Sequence, residues 1–470
     1  MKNYKNKDIE TFEKLHNKPI SKMTRRDLLG AGLIQFTATM TLPTILGMMA
    51  KSEYAQAQEI LCPKGGNASL VPIVNLNLAG GAGLAANFVP HDQGLQPLSS
   101  YTKLGLGQSP NFQYAFANNA PFNNSGNGSQ ILAGIMTELQ GTMIANNTVF
   151  AGVPVRSRDD SSENKFNMDG LIQRAGRDGF ILPNLGVNRN NFALAAPPTP
   201  LNVRSFNDVS GALSVSGTLG TLNSAQQSRL FKLITNLSGK QARGLASLSG
   251  GQELNKLVQC ATRSNSELVG GDNSNLDPAQ NQAIADIWGI DMATNKGSRD
   301  YIFASLVYNV LQNNSASANL NMGGYDYHNG TRTTGDERDN NAGVMIGKIL
   351  RTFAAMNKKA FLTVTTDGGV TGPSNEVDGV WTSDRGSAGC LYMIGYDPAK
   401  APEAKSFQLG HFNQGQGADE SFITSGTVEK AIAGMFANYL SFSGQTGLIE
   451  KALPRVFSNE DLDKVLIFAA

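Results

Sequence analysis

The sequence predicts an α/β fold built on a mostly parallel sheet with helices on both faces. Three observations carry that expectation. Short apolar runs bounded by glycine or proline recur at VPIVNLNL, TVFAGVP, FLTVT and GCLYMIGY, as buried strands do. Stretches with apolar residues at helical spacing lie between them. Strand and helix alternate toward both ends of the chain, the order a mostly parallel sheet requires.

Residues 58–70 read as a short Gly/Asn-bearing linker. The first strand follows in VPIVNLNLAGGAG, where Ile73, Val74, Leu76 and Leu78 are apolar and a glycine turn ends the run. Residues 100–128 are polar and rich in Asn and Gly, and read as loop. SQILAGIMTELQGTMIA places Ile131, Ile135, Leu139 and Met143 at helical spacing. NNTVFAGVP makes a strand that stops at Pro154. A polar loop and short helix come next, then irregular strands over 181–221. A helical insertion is expected over about 223–315. Within it, NSAQQSRLFKLITNLSG opens on Asn/Ser and closes on Gly, and DPAQNQAIADIWG and SRDYIFASLVYNVLQNN follow.

The second half returns to alternation. NMGGYDYHNGT is a turn-rich loop, and RDNNAGVMIGKILRTFAAMNKKA a helix carrying Val344, Ile349, Phe353 and Met356. FLTVT and GCLYMIGY are strands. TVEKAIAGMFANYLSF closes the fold as a helix with Ile432, Met435, Phe436 and Leu440 on its apolar side. No repeat of 20 to 50 residues is present.

Composition narrows the function classes. Of 470 residues, 40% are hydrophobic and only 16% charged, with 51 glycines: a loop-rich globular chain rather than a disordered one. A net charge of +1 argues against nucleic acid as a partner. The first 57 residues hold nine Lys/Arg against five acids, leaving 39 − 9 = 30 basic and 38 − 5 = 33 acidic residues beyond them. Three cysteines, Cys62, Cys260 and Cys390, allow at most one disulfide within the chain and no disulfide framework.

The N-terminus carries an address. MTRRDLLGAGLIQFTATMTLP sets two arginines before a weakly apolar stretch from Leu28 to Ala50, and Ala55-Gln56-Ala57 offers a small-x-small cleavage pattern. The T-R-R-D-L-L spacing resembles a twin-arginine export signal. Residues 1–57 are therefore expected to engage the twin-arginine export machinery and to be cleaved after Ala57. That releases the protein to the periplasm or beyond with no stable membrane span; an uncut leader would instead leave an anchor helix.

In open parallel sheets ligands collect beyond the carboxyl ends of the strands. TTDGGV puts Asp367 there, at the end of a buried strand and before two glycines. A carboxylate in that place is costly unless paired, hydrogen-bonded or bound to a cation, or else accepts N–H bonds in its own turn. GGYDYHNG sets Asp326 and His328 two residues apart, a ligand pair suited to zinc, manganese and similar ions. Either they bind metal, or His328 donates to a loop carbonyl and Asp326 caps the turn. Ser157 stands between Arg156 and Arg158. It is a candidate nucleophile flanked by cations for a phosphate or sulfate oxyanion, or part of a solvated basic loop. Asp384 beside Arg385 is a further ligand or a surface ion pair.

Taken in order, the twin-arginine leader, GGAGLAANFVP, AGVPVRSRDD, GGYDYHNG, FLTVTTDGGV and WTSDRGSAG resemble the secreted bacterial proteins grouped as domain of unknown function 1501. Those are related in turn to the alkaline phosphatase and sulfatase superfamily. The resemblance spans most of residues 71–445. It implies an alkaline phosphatase-like sandwich over residues 71–470 and a site for one or two divalent metals (Zn, Mn, Ca or Mg). Asp326 and His328 match the family's Asp-x-His, and Asp367 its acid at the next strand end. Asp384 matches the first residue of an Asp-His pair whose histidine is Arg385 here. Ser157 matches the serine of an Arg-Ser-His stretch whose histidine is Arg158 here. The first strand's turn usually carries an acid, where this chain has Gly80-Gly81-Ala82-Gly83.

Three acids and one histidine hold one ion. Arg385 repels a cation but grips an anion, as would Arg156 and Arg158. The resemblance thus implies a hydrolase of anionic small-molecule or glycan esters, phosphate or sulfate, with a degenerate metal centre. The alternative is a non-catalytic periplasmic or surface protein that keeps the scaffold for binding or assembly.

Overall fold

The computed structural model describes residues 70–157, 168–177, 182–186, 201–213, 226, 229, 236, 276–327, 332–372, 380–383 and 386–469. The expected leader and its cleavage site lie outside them. So does most of NSAQQSRLFKLITNLSG. The chain divides into two compact units. One comprises Met1–Gly65, Phe180–Leu182 and Ser210–Ser274; the other comprises Gly66–Gly179, Pro183–Val209 and Asn275–Ala470. The second unit, described here, thus includes residues 275–315, which fell within the expected insertion.

Its strands are β1 (Ile73–Leu78), a hairpin of β2 (Phe112–Ala115) and β3 (Ala120–Asn123), β4 (Thr148–Pro154), β5 (Leu182–Gly186), β6 (Leu201–Asn202), β7 (Ser315–Met322), β8 (Ala360–Thr366) and β9 (Cys390–Tyr396). The described helices include α1 (Leu84–Asn87), α2 (Gln130–Leu139), α3 (Asp169–Ala175), α4 (Phe206–Leu213), α5 (Gln282–Trp288), α6 (Arg299–Leu311), α7 (Arg332–Ala355) and α8 (Val428–Phe442). Two short helices, α9 (Ile449–Ala452) and α10 (Asn459–Val465), follow α8, so α8 does not close the fold.

The main sheet runs β4-β9-β8-β1-β7-β5-β6. β1 pairs in parallel with β7 and β8, while β9 is antiparallel to both β8 and β4. Four of the five strands from β4 to β7 therefore point the same way. Their carboxyl ends, with the start of β9, share one edge. The expected mostly parallel sheet is present, with one reversed strand.

One face of the sheet is apolar toward β4 and β9. There Val149, Ala151, Val153, Leu391, Met393 and Phe361 pack with Ile432, Met435, Phe436 and Leu440 of α8. On the other face Phe88 lies 5.9 Å from Phe150, ring centroid to centroid, and Phe353 of α7 approaches Tyr396. Thr427 caps α8, its side chain accepting from Lys430 N, and Ser298 caps α6 in the same manner.

Toward β7 the α8-side face turns polar, and three strands escaped the sequence reading for related reasons. β7 alternates Ser315, Ser317, Asn319 and Asn321 with Ala and Leu, so it carries little of the apolar signal that marks a strand. Its polar groups are closed across the sheet: Thr363 Oγ1 donates to Asn75 Oδ1 at 2.8 Å, and Asn75 Nδ2 to Asn319 Oδ1 at 2.8 Å. Asn319 Nδ2 in turn donates to Asp169 Oδ2 at 3.0 Å. A second ladder runs Thr365–Asn77–Asn321. β2 and β3 hide in the polar stretch read as loop.

Helices α2 and α7 cross with backbones nearly touching. A Cβ on Gly343 would overlap the Ile131 carbonyl, and one on Gly134 the Asn340 carbonyl. Arg351 of α7 closes the crossing on Glu138 at 2.7 Å.

Candidate functional site

Four loops meet at the carboxyl edge: residues 79–83 after β1, Gly323–Tyr327 after β7, Asp367–Gly369 after β8, and Val155–Ser157 after β4. Hydrogen bonds sew them together. Gly80 N donates to Asp367 Oδ2 at 3.1 Å, and Asp367 N returns a bond to the Gly80 carbonyl at 3.1 Å. Gly80 adopts φ +110°, and a Cβ there would run into the backbone of Asp326. Only glycine meets both demands. The turn after β1 therefore bonds the Asp367 carboxylate on one side and seats the Asp326 backbone on the other.

Ser383 adds a second clasp. Its Oγ accepts from Tyr327 N at 2.8 Å and donates to the Gly81 carbonyl at 2.9 Å. The 323–327 loop is thus held from both flanks, while Asp326 between them is exposed. Asp367 is half-buried. Two carboxylate-bearing residues so flank one glycine at the strand ends, the place where parallel sheets present ligands.

Behind this edge lies a buried polar cluster. Asp339 of α7 is fully buried and accepts from Asn87 Nδ2 at 2.6 Å and from the Tyr327 hydroxyl at 3.3 Å. Burial pushes its carboxyl up to about 7, against the opposing pull of the Asn87 bond. Asn87 is itself satisfied, accepting from Ser129 Oγ and Ile131 N. Arg332 lies 4.3 Å over the Trp381 ring and donates to the Gly105 carbonyl at 2.8 Å. Asn87 follows the first strand and is among the polar groups the sequence marks there, but Asp339 was not singled out; they are 252 positions apart, and only the fold joins them.

The expected site residues divide. Asp326, Asp367 and Ser157 share the edge. His328, Arg158, Asp384 and Arg385 lie outside the described residues. Among the described residues no group of three or more His, Cys, Asp or Glu gathers to hold an ion. Ser157 is buried and its Oγ donates to the Asp367 carbonyl. The hydroxyl thus supports the strand-end turn rather than facing outward. Arg156 is half-exposed and paired with Glu420.

The two described histidines, His91 and His411, have ordinary partners. His91 is buried with Nδ1 2.9 Å from the Val89 carbonyl, and burial lowers its basicity. His411 Nε2 meets Asp419 Oδ2 at 3.0 Å. Asp92 accepts from Gly94 N and Gln96 N in its own turn. Asp159 and Asp160 lie outside the described residues. Cys390 is buried, and its thiol is pushed up by burial.

The fold and edge define an α/β protein with a mostly parallel sheet and two carboxylates at its strand ends. No family model, no curated protein and no solved structure matches the chain. No helix among the described residues is long and apolar enough to cross a membrane.

Proposed function

We propose that the chain is an exported, metal-dependent hydrolase of phosphate or sulfate esters, built on a phosphatase/sulfatase-like scaffold. One observation carries the reading: Asp326 and Asp367 flank Gly80 at the carboxyl edge, one exposed and one half-buried, with His328 two residues beyond Asp326. Oxygen ligands and an imidazole suit zinc or manganese. Asp326, His328 and Asp367, with Asp384 as a fourth ligand, would hold a divalent cation, which would supply Lewis acidity to a phosphoryl or sulfuryl oxygen and acidify a bound water.

The chain's own part is positioning. Gly80 N and the Ser383 clasp fix the two loops before substrate arrives, so little ordering remains at the moment of binding. With the Ser157 hydroxyl committed to the Asp367 carbonyl, water is the favoured nucleophile. Its oxygen joins phosphorus or sulfur, the ester bond breaks, and the proton goes to the leaving alcohol.

Elemental analysis of protein purified without chelator tests this. About one divalent ion per chain is expected, lost in the Asp326→Ala, Asp367→Ala double variant, together with turnover of aryl phosphate or aryl sulfate. Unchanged metal content in the double variant overturns the ligand assignment. A second reading, a binding or assembly module, is favoured by the absence of an acid from Gly80-Gly81-Ala82-Gly83. It predicts bound metal with no turnover across zinc, manganese, calcium and magnesium.

A further inference from the structure

The GGYDYH segment carries two glycines, and metal binding by Asp326 and His328 explains neither. Gly324 adopts φ +96°, and the space its missing side chain leaves is filled by Arg338 of α7. A Cβ at Gly324 would lie 3.2 Å from Arg338 Cζ and 3.3 Å from Nη1. The guanidinium therefore lies along the loop backbone. The Tyr325 hydroxyl, donating at 3.0 Å to the Arg338 carbonyl, ties the loop to the same turn of α7.

Arg338 is exposed, and among the described residues no carboxylate pairs with it. Gly324 precedes Asp326 by two residues, so their Cα atoms are separated by no more than about 7 Å. Arg156, the other described cation proposed to hold an anion, is occupied by Glu420.

We propose that Arg338, seated on Gly324, is an anion-binding residue of the carboxyl-edge site and takes an oxygen pair of a tetrahedral oxyanion, phosphate or sulfate. The inference rests on the hydrolase reading and adds a cation to its site. A guanidinium offers two parallel N–H donors to such an oxyanion, where an ammonium offers a point charge. Packing against backbone holds that fork in place, so less side-chain freedom is lost on binding. Asp326 alone would repel the same anion; a cation on Asp326 reverses the sign, so metal and oxyanion should bind cooperatively.

The test titrates inorganic phosphate and, separately, sulfate into the exported protein with and without manganese, read by calorimetry. Arg338→Ala and Arg338→Lys are both expected to weaken the oxyanion about tenfold or more, while manganese binding in the absence of phosphate stays unchanged. Gly324→Ala keeps the charge but displaces the guanidinium, and is expected to give the same loss; its thermal unfolding checks that it folds. Equal phosphate affinity in the wild type and Arg338→Ala overturns the proposal, with or without manganese. Loss of manganese binding in the wild type would end the metal reading instead. Phosphate binding that still depends on Arg338 would then leave this inference standing.

Discussion

Two polar regions of this molecule sit within a few residues of each other along the same strands. The Asn–Thr seam on the α8-side face of the sheet is closed. Asn75, Asn77, Asn319, Thr363 and Thr365 are all buried, and each spends its side chain on a neighbour across the sheet. The carboxyl edge is open. Asp326 and Arg338 are both exposed to solvent. Closed polar networks specify register and contribute stability. Exposed polar groups contribute little to stability and keep their charge within reach of solvent and solutes. The difference is one of burial, not of residue type.

The largest expected effect comes from Asp339, which lies behind the open edge, buried yet bonded to the loop of Asp326. Its carboxyl is raised from 3.8 to about 7 in the fold. The folded state therefore binds that proton more tightly than the unfolded chain does. The stability this group contributes should be greatest below about pH 4, fall as pH climbs from about 4 to about 7, and level off above. The drop is on the order of 4 kcal/mol at most. Urea unfolding from pH 4 to 8 measures it, and Asp339→Asn should flatten this part of the profile. An equal slope in that variant would assign it to other groups.

Next comes the closed seam. Asn75→Leu removes the acceptor of Thr363 and the donor to Asn319, stranding two buried polar groups. A loss of about 3 kcal/mol is expected in urea unfolding. Metal content should not change. A loss below about 1 kcal/mol would mean that water or a shifted rotamer replaces both bonds, and the seam would not be closed.

The open edge should behave in the opposite way. Asp326→Asn is expected to alter stability by no more than about 0.5 kcal/mol and yet to weaken manganese or zinc binding about tenfold or more. Equilibrium dialysis and thermal unfolding of the same preparation separate the two readouts. A variant that binds metal as the wild type does would place Asp326 among the ordinary surface acids.

The contrast also marks what a sequence reveals. β1, β4, β8 and β9 were legible because at least one face of each is a run of largely apolar residues. β7 was not, because its Ser and Asn look like loop until paired. A trace of it was present all the same. VNLNLAGG and ANLNMGGY share an NLN core before a glycine pair, and their asparagines lie opposite each other, Asn75 to Asn319 and Asn77 to Asn321. Asp367 was legible from its position at a strand end. Its bond to Gly80 was not, since a backbone partner 287 residues away has no local signature. Arg338 escaped for a related reason. It lies inside a helix and reads as a solvated face until Gly324 is brought beneath it. The order of the strands decides which polar residues become neighbours, and that order is not written in any one segment.

The smallest expected effect concerns Arg156. Its pair with Glu420 is 44% and 51% exposed, and ion pairs so placed contribute about 0–1 kcal/mol. Glu420→Gln should therefore leave unfolding within about 0.5 kcal/mol of the wild type, a shift that salt screens further. The informative readout is phosphate affinity. With Arg338 as the gripping cation, freeing Arg156 changes nothing at the edge, and Glu420→Gln binds phosphate as the wild type does. A tighter complex would show that the released Arg156 reaches the anion. The open region would then extend from the β7 loop across to the end of β4, with Glu420 as the group that holds it partly closed.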